Sequence, residues 1–186
     1  MEDLKILIKE CASGNVRAQE KLYRTFAPKM FGVCLRYAKD RTEAEDNLRD
    51  GFVKVFENIR NFRHEGSFEG WMRRIMVNVS LGKFRKQNLL HPVEDIGQYE
   101  EAQVSEDVFA RMGADDLMEL IQQLPPRYRM VFNMYVLDGL NHQQISEEMN
   151  ISVGTSKSNL ARARDLLKRK VLDLYNDVIT NTNYPA

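Results

Sequence analysis

The chain has 186 residues, 43% of them hydrophobic, and its 27 basic and 27 acidic residues balance to a formal net charge of zero. This length allows one domain or two small ones, each with a modest core. No apolar stretch approaches the roughly 20 residues that span a bilayer, and the amino-terminal residues lack the pattern of a secretory signal. We therefore expect a cytoplasmic protein that does not insert into membranes. Cys11 and Cys34 lack CxxC spacing, which favours buried free thiols over a disulfide or a metal site.

The balanced net charge conceals an uneven distribution along the chain. Residues 1–86 carry 18 basic against 12 acidic side chains, whereas residues 87–116 carry one arginine against eight acids. Further on, positive charge is concentrated between Val153 and Lys170, where six basic residues occur with a single acid. Two basic units around an acidic connector predict contacts with a polyanion at two places.

Apolar residues at helical spacing predict four helices in the first 87 residues. The first ends at Gly14, and the second begins near Asn15 and is kinked or restarted at Pro28. A capping box over Thr42–Glu45 opens the third helix. The fourth follows a polar loop, Asn61–Ser67, whose serine hydroxyl can cap it.

Residues 87–113 lack a sustained apolar period and hold prolines, glycines and a string of acids, a composition typical of a solvated linker. Apolar periodicity resumes after this segment and predicts four or five further helices. We therefore predict an all-α fold of two small helical domains, 1–87 and 114–186, joined by an acidic linker at 88–113.

The second domain is predicted to contain a helix-turn-helix. Asn141 can cap a short amphipathic helix, Asn150 tolerates the left-handed backbone that ends it, and Ser152 can cap a second helix from Val153. One face of that second helix is apolar and consists of Val153, Leu160, Ala163, Leu167, Val171 and Leu174. Its basic side suits a DNA major groove; without the preceding turn, a solvated basic surface would be the better interpretation.

Taken together, these segments resemble the extracytoplasmic-function (ECF) class of bacterial sigma factors, the initiation subunits of RNA polymerase. The polymerase-binding helix of that family's region 2 is similar to AEDNLRDGFVKVF, from Ala44 to Phe56. Its segment for the promoter −10 element is similar to FRHEGSFEGWMRRIMVN, from Phe62 to Asn78. Region 4 resembles LPPRYRMVF followed by ISVGTSKSNLARAR.

The resemblance covers most of the chain and implies partners as well as a fold. It implies binding to the clamp and flap regions of core RNA polymerase and to promoter DNA. It also implies that the acidic linker threads the RNA exit path of the polymerase. Family members are often held inactive by a membrane-linked anti-sigma protein, so an anti-sigma factor is a further expected partner.

Individual contacts follow from the resemblance. The residues implied to face the polymerase clamp are Asp46, Asp50 and Phe52. In the −10 segment Phe62 and Asn78 are implied to hold a flipped base, and the whole set of −10 contacts is Phe62, Arg63, His64, Glu65, Gly66, Ser67, Arg74, Met76, Asn78, Lys83 and Lys86. The implied −35 contacts are Thr155, Lys157, Ser158, Asn159, Ala161, Arg162 and Arg164. Lys157, Ser158, Ala161 and Arg162 are the base-reading members of that last set.

We therefore predict a sigma factor that directs promoter-specific initiation without enzymatic activity, cofactor or metal. The alternative is a stand-alone helix-turn-helix regulator that binds an operator without polymerase. An enzyme acting on nucleic acid would need a convergent acid, base or metal set. The three histidines, His64, His91 and His142, instead lie far apart in a loop, the linker and a helix start.

Overall fold

In the computed structural model, which describes residues 2–90 and 113–182, every regular element is a helix. The chain divides into two units, Met1–Leu90 and His91–Ala186. The predicted all-α class is confirmed for the described residues. Most of the predicted linker at 88–113 lies outside them.

The first unit consists of four helices: α1 (Glu2–Ala12), α2 (Val16–Tyr37), α3 (Arg41–Asn58) and α4 (Phe68–Leu90). A 3₁₀ turn at Ile59–Asn61 follows α3. The long helix α2 packs against the other three, and α3 packs against α4. Their core is made of fully buried apolar side chains that include Leu22, Met30, Val55, Met72, Met76 and Leu81. This packing places α3, which carries the predicted polymerase contacts, beside α4, which carries the predicted −10 contacts from Arg74 to Lys86.

One local prediction for this unit is wrong. The capping box of α3 is not Thr42–Glu45: the Asp40 carboxylate accepts from the Glu43 backbone N at 2.8 Å, and Lys39 N donates to the Glu43 carboxylate at 2.7 Å. Asp40 and Glu43 are three residues apart, the same spacing as Thr42 and Glu45. The Asp40 carboxylate is a stronger hydrogen-bond acceptor than the Thr42 hydroxyl, which explains why Asp40 caps the helix.

The helix α2 continues through Pro28 as one helix, which excludes the predicted restart and leaves the kink a prediction. The amide that proline lacks would have bonded to the carbonyl of Arg24, and both residues are exposed. Water can therefore satisfy that carbonyl, which explains how the helix tolerates the proline.

The described part of the second unit, residues 113–182, contains four helices, within the predicted number. They are α5 (Ala114–Gln122), α6 (Pro126–Phe132), α7 (His142–Met149) and α8 (Val153–Thr182), and a π-helical turn at Asn133–Leu137 continues α6. One core cluster joins α5, α6 and α8 and consists of Leu120, Ile121, Leu124, Tyr128, Ala163, Leu167 and Val171. Leu174, predicted to belong to the apolar face of α8, is 43% exposed because it lies beyond the last member of this cluster.

The predicted turn between α7 and α8 is confirmed in detail. Asn141 and Gln144 form a reciprocal capping box at the start of α7. Asn150 ends that helix with φ 53° and ψ 52°, and its backbone N–H donates to Ser146 O. The Ser152 hydroxyl accepts from Thr155 N at 2.9 Å, which caps α8. These three caps give the segment its helix-turn-helix geometry.

Candidate nucleic-acid interface

A surface groove of about 610 Å³ runs along the seam between α3 and α4. Its α4 wall is formed by residues spaced three or four apart, which places them on one helix face. The lining combines apolar side chains with two carboxamides, three lysines and one acid: Val53, Ile75, Val79, Gly82, Asn58, Asn78, Lys54, Lys83, Lys86 and Asp50. Apolar surface beside amides and cations can accept an unstacked base together with its phosphates.

Three predicted −10 contacts, Asn78, Lys83 and Lys86, lie in this groove. Lys83 is not a free cation, because its Nζ lies 2.7 Å from Asp50 Oδ2. The pair crosses the groove from α4 to α3. It joins a predicted DNA contact to a predicted polymerase contact.

The loop before α4 lies beside a cluster of aromatic rings. Phe62 is half-buried, with its ring centroid 5.1 Å from Phe68, 5.5 Å from Trp71 and 4.7 Å from His64. Trp71 therefore packs, as predicted. Asn78 lies seven residues further along α4 than Trp71, on the same side of the helix and about 10 Å along its axis.

The loop itself is exposed and has a distinctive backbone. Arg63, His64, Glu65, Gly66 and Ser67 are all solvent-accessible, and His64 and Gly66 have φ values of 57° and 95°. The Ser67 hydroxyl accepts from Gly70 N at 3.0 Å, so the predicted cap of α4 is confirmed. The side chains of this loop can thus meet a ligand without any rearrangement of the core.

Two residues of the first unit that were predicted to make contacts are buried instead. Met76 is fully buried, and its thioether lies against the α-carbon of Gly51, where a Cβ would overlap it. Phe52 is 3% exposed, and the centroid of its ring lies 4.6 Å from the centroid of the Tyr23 ring. Because both side chains fill the core, the expectation that they lie on a contact surface is corrected.

The exposed stripe of α3 is different from the predicted one. Asp46 and Asp50 are exposed, and Val53, which follows at the next helical position, is 54% exposed. Asp46 forms an ion pair with Arg49 at 2.7 Å. Val53 therefore takes the place of Phe52 on this face. Its i, i+4, i+7 spacing from the two acids was the signal in the sequence that could have identified it.

On α8 the exposed side presents Lys157, Ser158, Ala161 and Arg164, and Arg162 is partly exposed. Thr155 is held by a 2.8 Å contact between its hydroxyl and that of Ser152. Arg162 Nη1 donates to the Tyr128 hydroxyl at 3.4 Å. The predicted base-reading residues are thus brought together on one side of one helix.

Asn159 is 6% exposed, so its side chain does not belong to that surface. It lies three residues after Ser156 and four before Ala163, and both of these are fully buried. This spacing places Asn159 on the inward face of α8, which corrects its prediction as a −35 contact.

Four residues that connect α8 to the preceding elements were not identified as a group from the sequence. His142 Nδ1 lies 3.0 Å from Ser156 Oγ, and the His142 ring stacks on Tyr135 with centroids 4.6 Å apart. Arg164 Cζ lies 5.8 Å from the centroid of the Tyr135 ring. We call Tyr135, His142, Ser156 and Arg164 the His142 cluster.

Both cysteines are free and buried, as predicted. Burial, with a smaller contribution from the nearby Glu10 carboxylate, raises the pKa of the Cys11 thiol to about 11. Burial raises the pKa of the Cys34 thiol to about 12, against a smaller opposing effect of Lys83. Among the described residues, no three His, Cys, Asp or Glu side chains are grouped as metal ligands would be. No helix in the described ranges is long and apolar enough to cross a membrane.

Comparison with known families gives two matches in chain order. Residues 22–89 match the family model for sigma-70 region 2, and residues 114–167 match the family model for sigma-70, region 4. The two matches together span most of the chain, and each falls within one of the two structural units.

Individual relatives are similar over most of the chain. ECF RNA polymerase sigma factor SigW of Bacillus subtilis is 26% identical over 183 residues, which cover 92% of this chain and 98% of the relative. ECF RNA polymerase sigma factor SigE of Mycolicibacterium smegmatis is 28% identical over 160 residues, 80% of this chain, and the matched part spans only 60% of that relative. Among solved structures, the Bartonella quintana sigma factor RpoE, determined with the anti-sigma factor NepR, has a TM-score of 0.50 at 18% identity over 83% of this chain and 96% of that one. At this identity the similarity concerns the fold alone.

Proposed function

The chain belongs to the sigma-70 family, as an ECF sigma factor, and on that premise we propose how its two units divide the work of promoter-specific initiation. The unit with α3 and α4 binds core RNA polymerase and the opened −10 element. The unit with the helix-turn-helix reads the −35 element as duplex. The observation that carries this proposal is the presence of both region matches, in order, on two separate helical units.

For the −35 element, α8 enters the major groove with its amino-terminal half. Lys157 and Arg162 can reach base edges and Thr155 and Arg164 can bind phosphates, while small residues such as Ala161 permit close approach. The exposure of this side of α8 supports the assignment. Asn159 is left out because it is buried.

For the −10 element, the groove between α3 and α4 binds unstacked nucleotides. Asn78 offers a donor and an acceptor to a base edge, and Lys83 and Lys86 lie beside it for phosphates. The groove adds Asn58, Ile75 and Val79 to the residues predicted from the sequence. Phe62 belongs to the aromatic cluster, and the loop at 63–67 follows it directly. Phe62 and this loop close over the unpaired DNA strand.

For the polymerase, the exposed stripe of Asp46, Asp50 and Val53 on α3 binds the clamp. Two exposed acids and an exposed valine give this stripe both charged and apolar surface for a protein partner. The domain boundaries at 1–87, 88–113 and 114–186 remain proposals, and the end of α4 at Leu90 supports a first boundary three residues later than predicted.

The protein performs no covalent chemistry, since its role is to bind and orient polymerase and DNA. It acts in the cytoplasm, where bacterial RNA polymerase works. An anti-sigma protein controls it. The family resemblance implies such a partner, and the Bartonella quintana sigma factor was solved in complex with one.

The test is transcription by purified core polymerase on a promoter library in which the −35 and −10 elements are randomised. We expect selective initiation that requires the chain. An Arg162→Ala variant should lose about tenfold or more of its preference at one −35 position, the size of one good base contact. A Lys86→Ala variant should bind all promoters more weakly without a change in preference.

Two results of this experiment would decide against the proposal. Absence of added initiation over core polymerase alone, together with sequence-specific binding to duplex DNA, would favour the stand-alone regulator. Unchanged −35 preference in Arg162→Ala would remove α8 as the reading helix.

A further inference from the structure

The His142 cluster connects the helix-turn-helix to the π-helical turn before it. His142 is the first residue of α7, Tyr135 lies in the turn at 133–137, and the other two members, Ser156 and Arg164, lie on α8. The helices α7 and α8 already pack against each other, and Ile145, Met149 and Leu160 on them are buried. The cluster adds directional contacts to this packing.

The directional contact at one end of the cluster is the hydrogen bond of Ser156. Its hydroxyl is fully buried, and a buried hydroxyl without a partner loses the hydrogen bond that it makes with water in the unfolded chain. His142 Nδ1 is in hydrogen-bond contact with it at 3.0 Å. Because a hydrogen bond depends on direction as well as distance, it restricts the rotation of α8 about its own axis more than apolar packing does.

The contact at the other end is between Arg164 and Tyr135. The guanidinium lies 5.8 Å from the ring centroid, within the range of a cation–π interaction, and the Tyr135 ring is itself stacked on His142 at an interplanar angle of 27°. Arg164 follows Ser156 by eight residues, or about 12 Å along the helix. The two contacts therefore lie on either side of the residues proposed to read bases, Lys157, Ser158, Ala161 and Arg162.

We propose that His142 and Tyr135 are positioning residues for DNA recognition by α8. His142, through Ser156, sets the rotation of the helix and so the alignment of the base-reading side chains. Tyr135 holds the Arg164 guanidinium in place for a DNA phosphate. This inference rests on the proposed reading of −35 duplex by α8, and it assigns two separable effects to two neighbouring rings.

The first test compares two substitutions of His142 that remove different parts of the ring. His142→Phe keeps a ring to stack on Tyr135 and lacks a nitrogen, whereas His142→Asn lacks the ring and keeps a polar atom near the Nδ1 position. Ser156→Ala removes the other half of the hydrogen bond. The matched control is Gln143→Ala, because Gln143 is exposed on the same helix and its side chain donates to Glu147, away from the cluster.

The measurement is transcription initiation by the chain bound to core polymerase, on a promoter library randomised at −35. The readout is the amount of initiation on the preferred −35 sequence divided by the amount on the median sequence. Both are measured in one competitive reaction, so the ratio does not depend on the amount of folded protein. We expect His142→Phe and Ser156→Ala to lower it by about three- to tenfold, the range of one net hydrogen bond, with no further loss in the double variant. His142→Asn and Gln143→Ala should stay within about twofold of the unsubstituted chain.

The second test measures how the affinity of the same holoenzyme for promoter DNA depends on salt. Tyr135→Leu and Arg164→Ala should each lower the slope of log affinity against log salt by about one, because each loses one phosphate contact. Tyr135→Phe keeps the ring face and should restore the slope. The −35 ratio should remain unchanged in Tyr135→Leu.

Several results would overturn the inference. An unchanged −35 ratio in His142→Phe and Ser156→Ala would show that the bond does not position α8, and additive losses would show that the two residues act separately. An unchanged salt slope in Tyr135→Leu would remove the role of Tyr135. Failure of the proposed function is distinguishable, because the unsubstituted chain would then show no −35 preference at all.

Discussion

Lys83 Nζ lies 2.7 Å from Asp50 Oδ2, so a lysine proposed to bind DNA is paired with an acid proposed to bind polymerase. The side chains are 32% and 57% exposed. Water screens such a pair, and exposed pairs contribute roughly 0–1 kcal/mol to stability. The pair is therefore weak enough for either partner to exchange it for a contact in the transcription complex.

The first prediction concerns Asp50→Asn. Its affinity for core polymerase should fall, by about tenfold for a lost interfacial charge contact, while the free energy of unfolding changes by less than about 1 kcal/mol. Titration of labelled protein with core polymerase and urea unfolding measure the two quantities. Glu57→Gln is the control, since it breaks the 2.7 Å pair with Lys54 on the same helix without touching the proposed stripe. Equal losses of affinity in both variants would point to overall charge rather than to a contact by Asp50.

The second prediction concerns Gly51 and the thioether of Met76. A Cβ at Gly51 would overlap Met76 Sδ, and Met76 is fully buried, so its side chain must move within a packed core. Gly51→Ala should therefore lower the free energy of unfolding by about 1–3 kcal/mol, although alanine by itself favours a helix by up to about 1 kcal/mol. Fluorescence of the single tryptophan, Trp71, follows unfolding of this unit.

The control for Gly51 is Gly32→Ala, because Gly32 is also helical and nothing lies within 4 Å of its added Cβ. This variant should be stabilised by up to about 1 kcal/mol. A Gly51→Ala protein as stable as Gly32→Ala would mean that the Met76 side chain rearranges without cost.

The third prediction is a pH dependence from the Cys34 thiol, whose pKa burial raises from 9.0 to about 12. Below pH 9.0 the thiol is protonated in both folded and unfolded chains, so its contribution to stability is complete. As the pH rises from 9.0 towards 12, the unfolded thiol ionises first and the contribution is lost. The free energy of unfolding should thus fall faster with pH than in Cys34→Ala, by roughly 1 kcal/mol at pH 10. Parallel curves for the two proteins would contradict it, since other titrating groups are common to both.

The features that the sequence predicted well are those that depend on neighbouring residues. Gly14, Asn141, Asn150 and Ser152 end or begin helices through backbone geometry and short-range hydrogen bonds, which residue type and order reveal. The family resemblance added which faces of these helices to consider.

The wrong predictions among the site residues concern which way a side chain points. Phe52, Met76 and Asn159 were implied to be contacts by the family resemblance, whereas their side chains are buried on the inward faces of their helices. Only packing decided it: Gly51 leaves room for Met76, and Tyr23 covers Phe52. The His142 cluster unites three elements, so no local pattern could have predicted it.

The fourth prediction concerns Asn150, whose left-handed backbone ends α7 in the turn of the helix-turn-helix. Asn150→Val should lose about 1–2 kcal/mol of unfolding free energy, because a β-branched side chain is strained at a φ of 53°. Asn150→Gly relieves that strain and should remain within about 1 kcal/mol of the unsubstituted chain, with unchanged −35 preference. Glu148→Val, an exposed change within α7, controls for the lower helix propensity of valine, roughly 0.5 kcal/mol. Since all three are single changes at the surface, circular dichroism during urea unfolding can compare them directly. A valine at 150 that costs no more than the valine at 148 would show that the turn can adopt another backbone, and the left-handed cap at Asn150 would then not be needed for the helix-turn-helix geometry.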